Sequence, residues 1–299
     1  MEIRAQAILL AAGRGERMRP LTDTCPKPLL EVRGKPLMWW PLQAMLRGGL
    51  AGVVVNTAWL GEQIEARFQN GLFGDGFGNV ASQFDAQVSN NVREKLLKQE
   101  QSKKAHPPDL VPHLRITYSH EGRDFGGALE TAGGIVRALP QLDDLFWLAA
   151  GDVFAPDFEF SPQALADFAT SGKLAHLWLV PNPEHNPRGD FGLSADGLAL
   201  NLPKTSAAPK FTYSTIGLYR HALFAPPICE IPPGNPQGVK AALAPLLRAA
   251  MDQHLVSAEI YEGRWADIGT PTRLREINQS ENGIQPAVKA RDNAQGMTR

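Results

Sequence analysis

Short apolar runs punctuate the chain at residues 5–10, 53–55, 114–118, 145–149 and 174–180, each bounded by polar or turn-forming residues. Runs of this length predict strands buried on both faces. Between several of them, residues 36–47, 60–70 and 130–139 carry apolar positions at helical period. Such alternation predicts βαβ units, because parallel neighbours need a crossover and a helix is the usual one. The expected fold class is therefore α/β, a Rossmann-like, mainly parallel sheet flanked by helices.

After Pro181 the pattern changes to short strands at 191–193, 198–200 and 211–219 and then a helix over 239–251. This predicts a small antiparallel lid on the same sheet. We expect one domain over residues 1–282, with halves 1–155 and 156–282. Residues 79–113 are rich in Gln, Asn, Lys and Ser and read as a surface insertion. The polar stretch 283–299 reads as a disordered tail.

Composition narrows the partners. In 299 residues, 43% hydrophobic and 20% charged, the formal net charge is -1, which gives no global electrostatic reason to expect nucleic acid or an anionic membrane. Phosphate binding, if present, must be local. Cys25 and Cys229 are too far apart in sequence, and too isolated, to suggest a disulfide framework or a zinc site. No run approaches the length of a membrane span, so a cytoplasmic protein is expected.

Ligands of open α/β sheets bind beyond the carboxyl ends of the strands, so chemistry is sought in the segments that follow them. Run 5–10 leads into Ala11-Ala12-Gly13-Arg14-Gly15-Glu16-Arg17. Small residues let the backbone approach a nucleotide, and successive N–H groups in such a turn form an anion-binding concavity. Neither GxGxxG nor GxxxxGK[ST] is present, and the fragment alone fits a tight turn with solvated arginines equally well. Pro26 and Pro28 bracket Lys27 and predict extended geometry around it. Asp152 follows run 145–149 and Asp267 follows Trp265; by themselves both also read as turn or N-cap carboxylates.

The longer string LAAGRGERMRPLT…PKPLLEVRGKPL resembles the N-terminal signature of the sugar-phosphate nucleotidyltransferase family. The likeness continues collinearly through NTAWLG (56–61), LETAGG (129–134), GDV (151–153), PNP (181–183) with GDFG (189–192), and GRWADIGT (263–270). NxAWLG with LETxGG is most similar to the subgroup of N-acetylmuramate 1-phosphate uridylyltransferases of cell-wall recycling. Segment 79–113 has no counterpart in that pattern.

The resemblance implies a fold of the nucleotide-diphospho-sugar transferase type, with the lid binding sugar. It implies a reaction in which a sugar 1-phosphate attacks the α-phosphorus of a nucleoside triphosphate, UTP in that subgroup, and pyrophosphate leaves. It further implies nucleotide contacts from Ala11, Ala12, Gly13 and Gly15, with Arg17 on the β- and γ-phosphates. Lys27 would bridge the α-phosphate and the sugar phosphate, and Asp152 with Asp267 would bind Mg²⁺. Glu130, Gly133 and Gly134 are expected near sugar and ribose, the glycines leaving room for ligand. Asn182 and Asp190 are expected on sugar hydroxyls, and Arg188 or Lys210 on the lactyl carboxylate of a muramic acid. Trp39, Trp40 and Trp59 are expected to be packing aromatics.

The residues leave open a guanylyl- or thymidylyltransferase of the same chemistry, since base choice rests on a few hydrogen bonds. A non-catalytic nucleotide-sugar-binding regulator would be expected to have lost Arg17, Lys27 or one of the two aspartates. The absence of hexapeptide repeats favours a monomer or dimer.

Overall fold

The computed structural model describes residues 5–68, 71–74 and 113–279. The expected insertion, apart from His113, and the expected tail lie outside the described residues. Eight strands form the main sheet: β1 (Ala5–Leu10), β2 (Gly52–Thr57), β3 (Leu72–Phe73), β4 (Leu114–His120), β5 (Leu142–Ala150), β6 (Ala175–Val180), β7 (Thr212–Arg220) and β8 (Val256–Ile260). Their order is β8-β6-β7-β5-β1-β2-β4-β3. β1 is parallel to both β2 and β5, β2 to β4, and β8 to β6. β7 runs antiparallel between β5 and β6, and β3 antiparallel to β4.

The helices are α1 (Trp39–Arg47), α2 (Gly61–Arg67), α3 (Glu121–Phe125), α4 (Glu130–Ala138), α5 (Pro162–Thr170), α6 (Leu243–Met251) and α7 (Pro271–Gln279). Among the described residues no helix is long and apolar enough to cross a membrane.

Strand periodicity divides the core. Ala7, Leu9, Val53, Val55, Trp147 and Ala149 pack on one face with α1. Ile8, Val54, Phe146 and Leu148 pack on the other with α4 and α6. A chain buried on both faces has no polar side to show, which is why these strands read as continuous apolar runs. A smaller cluster of Met18, Val32, Leu37, Phe154, Ile268 and Ile277 joins the segment after β1 to α7.

Two expectations change. Segment 211–219 is not part of the lid: β7 lies inside the main sheet, with Leu218 and Tyr219 fully buried, and of the expected lid strands Gly192–Leu193 and Ala199–Leu200 alone form a small antiparallel pair apart from it. The helix expected over 239–251 starts at Leu243, because the backbone before it is used elsewhere. Ala241 N–H donates to the Leu129 carbonyl, and the Ala241 carbonyl accepts from Ala132 and Gly133 N–H at the start of α4.

The chain leaves β1 toward β2 and β4 and returns on its other side at β5. The C-terminal ends of β1 and β5 therefore flank a topological switch point, where a crevice opens in sheets of this kind.

Candidate active site

A cleft of about 570 Å³ opens at that switch point. Its lining includes Leu10–Gly13 after β1, Asn56 at the end of β2, Asp152 after β5, and Lys27. Glu130 and Thr131, Asp190 and Phe191, and residues of α6 complete the lining.

Gly151 N–H donates to the Leu10 carbonyl and holds the two strand exits together. Lys27, 8% exposed, places Nζ 2.5 Å from Asp152 Oδ2. Pro26 is extended as expected, at φ -65° and ψ 141°, but Lys27–Leu29 form one 3₁₀ turn instead of an extended segment. Leu29 and Leu30 N–H close that turn on the Pro26 and Lys27 carbonyls. Gly15, at φ +67°, passes directly over the turn. A Cβ there would press on Thr22 and the stem of Lys27, so this glycine supports the lysine from outside the cleft lining.

The loop after β1 is held by a buried polar chain. Ala11 N–H donates to Asn56 Oδ1 at 2.7 Å, Asn56 Nδ2 donates to Glu121 Oε1 at 2.6 Å, and Leu129 N–H donates to Glu121 Oε2 at 2.7 Å. Burial pushes the Glu121 carboxyl up, against the hydrogen bonds from Leu129 and Asn56 that favour its charged form. Ala11 N–H is thus taken, which removes it as a ligand donor. The N–H groups of Ala12 and Gly13 have no partner among the described residues, and nothing stands beside the position a Gly13 Cβ would occupy.

Sequence reasoning named neither Asn56 nor Glu121 as a site residue. The available signal was Asn56 itself, a polar residue at the buried end of GVVVN. The rest of its motif also supports the loop: Trp59 Nε1 donates to the Thr22 carbonyl at 2.9 Å, and the Arg14 guanidinium lies 3.8 Å above the Trp59 ring. Trp59 is therefore half-buried against the loop and not a core aromatic, while Trp39 and Trp40 pack against the core as expected.

Gly133 and Gly134 are buried and do not line the cleft. A Cβ on Gly133 would meet the Val239 carbonyl, and one on Gly134 would meet the Glu121 carboxylate and the Asn56 amide. Protein, not ligand, fills the room these glycines leave. Glu130, beside them at φ +60°, does line the cleft.

Asp267 lies opposite Val153 in the antiparallel pair of Ala266–Asp267 with Val153–Phe154, and Ile268 N–H donates to the Asp152 carbonyl. Asp267 Oδ2 is contacted by Arg273 at 3.2 Å and by His185 at 3.3 Å. Burial, and the guanidiniums of Arg273 and Arg17, hold His185 below the usual imidazole range, with Asp267 opposing them. Arg273 was not singled out from sequence. Among the described residues neither Asp152 Oδ1 nor Asp267 Oδ1 has a hydrogen-bond partner; Asp152 lines the cleft, whereas Asp267 is outside the lining and joined to it through the Ile268–Asp152 hydrogen bond. No cluster of three or more His, Cys, Asp or Glu able to hold a metal occurs among the described residues. Two hard oxygen donors fit a divalent cation that completes its shell with substrate phosphates and water.

Arg17 is exposed, makes no ion pair among the described residues, and is outside the cleft lining. Asp190 lines the cleft with its carboxylate fixed by Tyr213 N–H at 2.9 Å and by Asn186 at 3.2 Å. Asn182 spends both ends of its amide on the protein, donating to the Lys210 carbonyl and accepting from Thr212 Oγ1, and does not line the cleft. Arg188 is exposed and likewise outside the lining.

A family model described as nucleotidyl transferase matches residues 6–282. An N-acetylmuramate alpha-1-phosphate uridylyltransferase of Neisseria meningitidis serogroup B is 39% identical over 91% of this chain and 96% of its own length. One from Caulobacter vibrioides is 28% identical, over 89% of this chain and 92% of its own. A glucose-1-phosphate thymidylyltransferase of Streptomyces griseus is 27% identical over 92% of this chain, which spans 65% of that protein. A solved Bacillus anthracis chain, described as a candidate glucose-1-phosphate thymidylyltransferase in complex with a sucrose, superposes with a TM-score of 0.62 over 91% of this chain and 93% of that one. At 16% identity that likeness establishes the fold alone. With the mainly parallel sheet, the cleft at its switch point and a match along almost the whole chain, the protein belongs to the nucleotidyl transferase family.

Proposed function

We propose that the protein transfers a uridylyl group from UTP to N-acetylmuramic acid 1-phosphate, forming the UDP-activated sugar and pyrophosphate. The single observation that carries the chemistry is a buried lysine, Lys27, paired with Asp152 in a cleft lined also by Ala12 and Gly13, whose N–H groups have no partner among the described residues. The choice of base and sugar rests on the 39% identity to a relative of that name over nearly the full length of both chains.

A phosphate oxygen of the sugar 1-phosphate attacks the α-phosphorus of UTP in line, and the bond to the oxygen bridging to the β-phosphorus breaks. The nucleophile is anionic at neutral pH and needs no general base, so the protein's work is to assemble two polyanions and stabilise the transition state. Lys27 supplies a fixed cation between them. Ala12 and Gly13 N–H take phosphate or ribose oxygens at the end of β1. Arg17, exposed and without an ion pair among the described residues, is available to the outgoing pyrophosphate. Glu130 and Asp190, which line the same cleft, orient the sugar. Enzymes of this family generally work with a divalent ion; Mg²⁺ held by the free oxygens of Asp152 and Asp267 would neutralise charge on the triphosphate.

Pyrophosphate release measured over a matrix of four nucleoside triphosphates and several sugar 1-phosphates tests the reading. We expect the highest kcat/KM for UTP with N-acetylmuramic acid 1-phosphate. A higher value for a thymidylyl or guanylyl donor, or for a hexose lacking the lactyl group, would replace the assignment within the same chemistry.

A further inference from the structure

N-acetylmuramic acid differs from N-acetylglucosamine by an ether-linked lactyl group, which carries a methyl and a carboxylate. A cleft that selects it needs a cation beside an apolar surface and away from the phosphates. Neither residue suggested by the sequence meets this need. Arg188 is exposed outside the lining, and Lys210 Nζ donates to the Pro203 carbonyl at 2.9 Å.

Among the described residues lining the cleft, the cations are Lys27 and Arg248. Lys27 belongs to the wall that meets the phosphates. Arg248 stands on α6, an element separate from those that carry Lys27 and Asp152, beside Leu247 and with its guanidinium 5.2 Å from the centre of the Phe191 ring, next in sequence to Asp190. One guanidinium nitrogen donates to Asn201 Oδ1 at 2.8 Å, and Asn201 is itself anchored by donating to both oxygens of Asp252. This relay orients the Arg248 fork through a neutral amide. Among the described residues no carboxylate pairs with Arg248, so its charge is not cancelled from within.

We infer that Arg248 is the specificity-determining residue that receives the lactyl carboxylate, with Leu247 and Phe191 against the lactyl methyl. The inference rests on the muramic acid reading above and names the group that would enforce it. A planar guanidinium can take a carboxylate through two N–H groups, and the apolar walls beside it strengthen a charge-assisted bond relative to water. The same arrangement disfavours sugars without the carboxylate, which would leave the fork unpaired.

The test compares wild type with Arg248→Met, which keeps an apolar stem over Phe191, and with Arg248→Lys, which keeps charge without the fork. Each is assayed by pyrophosphate release at saturating UTP with N-acetylmuramic acid 1-phosphate, its neutral lactyl amide, and N-acetylglucosamine 1-phosphate. Arg248→Met is expected to lower kcat/KM for the acid roughly ten- to a hundred-fold, mainly through KM, and to change the other two sugars by no more than about two-fold. Arg248→Lys should fall between. Equal losses on all three sugars, or an unchanged preference for the acid in Arg248→Met, would overturn the role of Arg248 while leaving the muramic acid reading intact. Wild-type turnover of another sugar 1-phosphate but not of the acid would overturn both.

Discussion

Asp152 accepts the Lys27 ammonium through Oδ2 at 2.5 Å while its Oδ1 has no partner among the described residues. One carboxylate thus faces a cation of the protein on one side and the cleft on the other. Replacing Lys27 by Met or Asp152 by Asn should each lower turnover by at least two orders of magnitude, roughly 3 kcal/mol of transition-state stabilisation. Because the groups touch, the losses should not add. The double variant should lie within about ten-fold of the worse single one when kcat is compared across the four proteins. Full additivity would mean that the two residues act independently.

The pair of carboxylates predicts metal dependence of a particular kind. With two carboxylate oxygens free among the described residues, the ion should bind weakly to the free enzyme and tighten when triphosphate supplies further oxygens. Chelation should stop turnover without lowering the melting temperature, and Mg²⁺ should restore it. Asp267→Asn should raise the Mg²⁺ concentration for half-activity and cut turnover by roughly two orders of magnitude or more. Unchanged Mg²⁺ dependence in that variant would assign Asp267 to holding Arg273 and His185 alone.

The glycines divide into two classes that an exchange to alanine should separate. At Gly134 a methyl would overlap the Glu121 carboxylate and the Asn56 amide, and at Gly133 the Val239 carbonyl. Both exchanges should destabilise the protein by roughly 1 to 3 kcal/mol, read as a lower urea midpoint, because overpacking forces neighbours off their positions. Gly13 faces open space. Gly13→Ala should keep the urea midpoint and instead raise KM for UTP.

This division shows how far the sequence could be read. The strands were legible because burial on both faces writes uninterrupted apolar runs, as in residues 145–149, and their alternation with helices predicted the mainly parallel sheet. Segment 211–219 reads as part of the lid because it follows a series of short strands separated by turn residues after Pro181, and its pairing with β5 and β6 shows that it is central. Lys27, Asp152, Glu130 and Asp190 line one cleft. The role of Gly133 and Gly134 could not be read from LETAGG. A glycine that makes space for a ligand and one that makes space for a buried carboxylate look alike until the neighbour from another element, here Glu121, is in place.

Glu121 offers the last prediction, since it is a buried carboxyl with a raised pKa, joined through Asn56 to the loop after β1. A carboxyl with a higher pKa in the native than in the unfolded chain binds protons more tightly when folded. Its contribution to stability is therefore fully present below the ordinary carboxylate range and is lost as pH rises through the raised native value. Glu121→Gln has no such titration. The melting temperature of wild type minus that of the variant should be most favourable to wild type near the acid end of the stable range and should decline toward neutral pH, whatever constant offset the substitution adds. Parallel curves across that window would mean that hydrogen bonds from Leu129 and Asn56 cancel the effect of burial. The same variant should disturb the nucleotide site. A glutamine must keep accepting from Leu129 N–H, and so turns its NH₂ toward Asn56 Nδ2, where two donors now meet. Asn56 can relieve that conflict only by rotating its amide, which withdraws Oδ1 from Ala11 N–H. KM for UTP should then rise severalfold, with a smaller effect on the sugar 1-phosphate. An unchanged KM for UTP beside the predicted pH dependence would confine Glu121 to stability and remove it from the positioning of the loop.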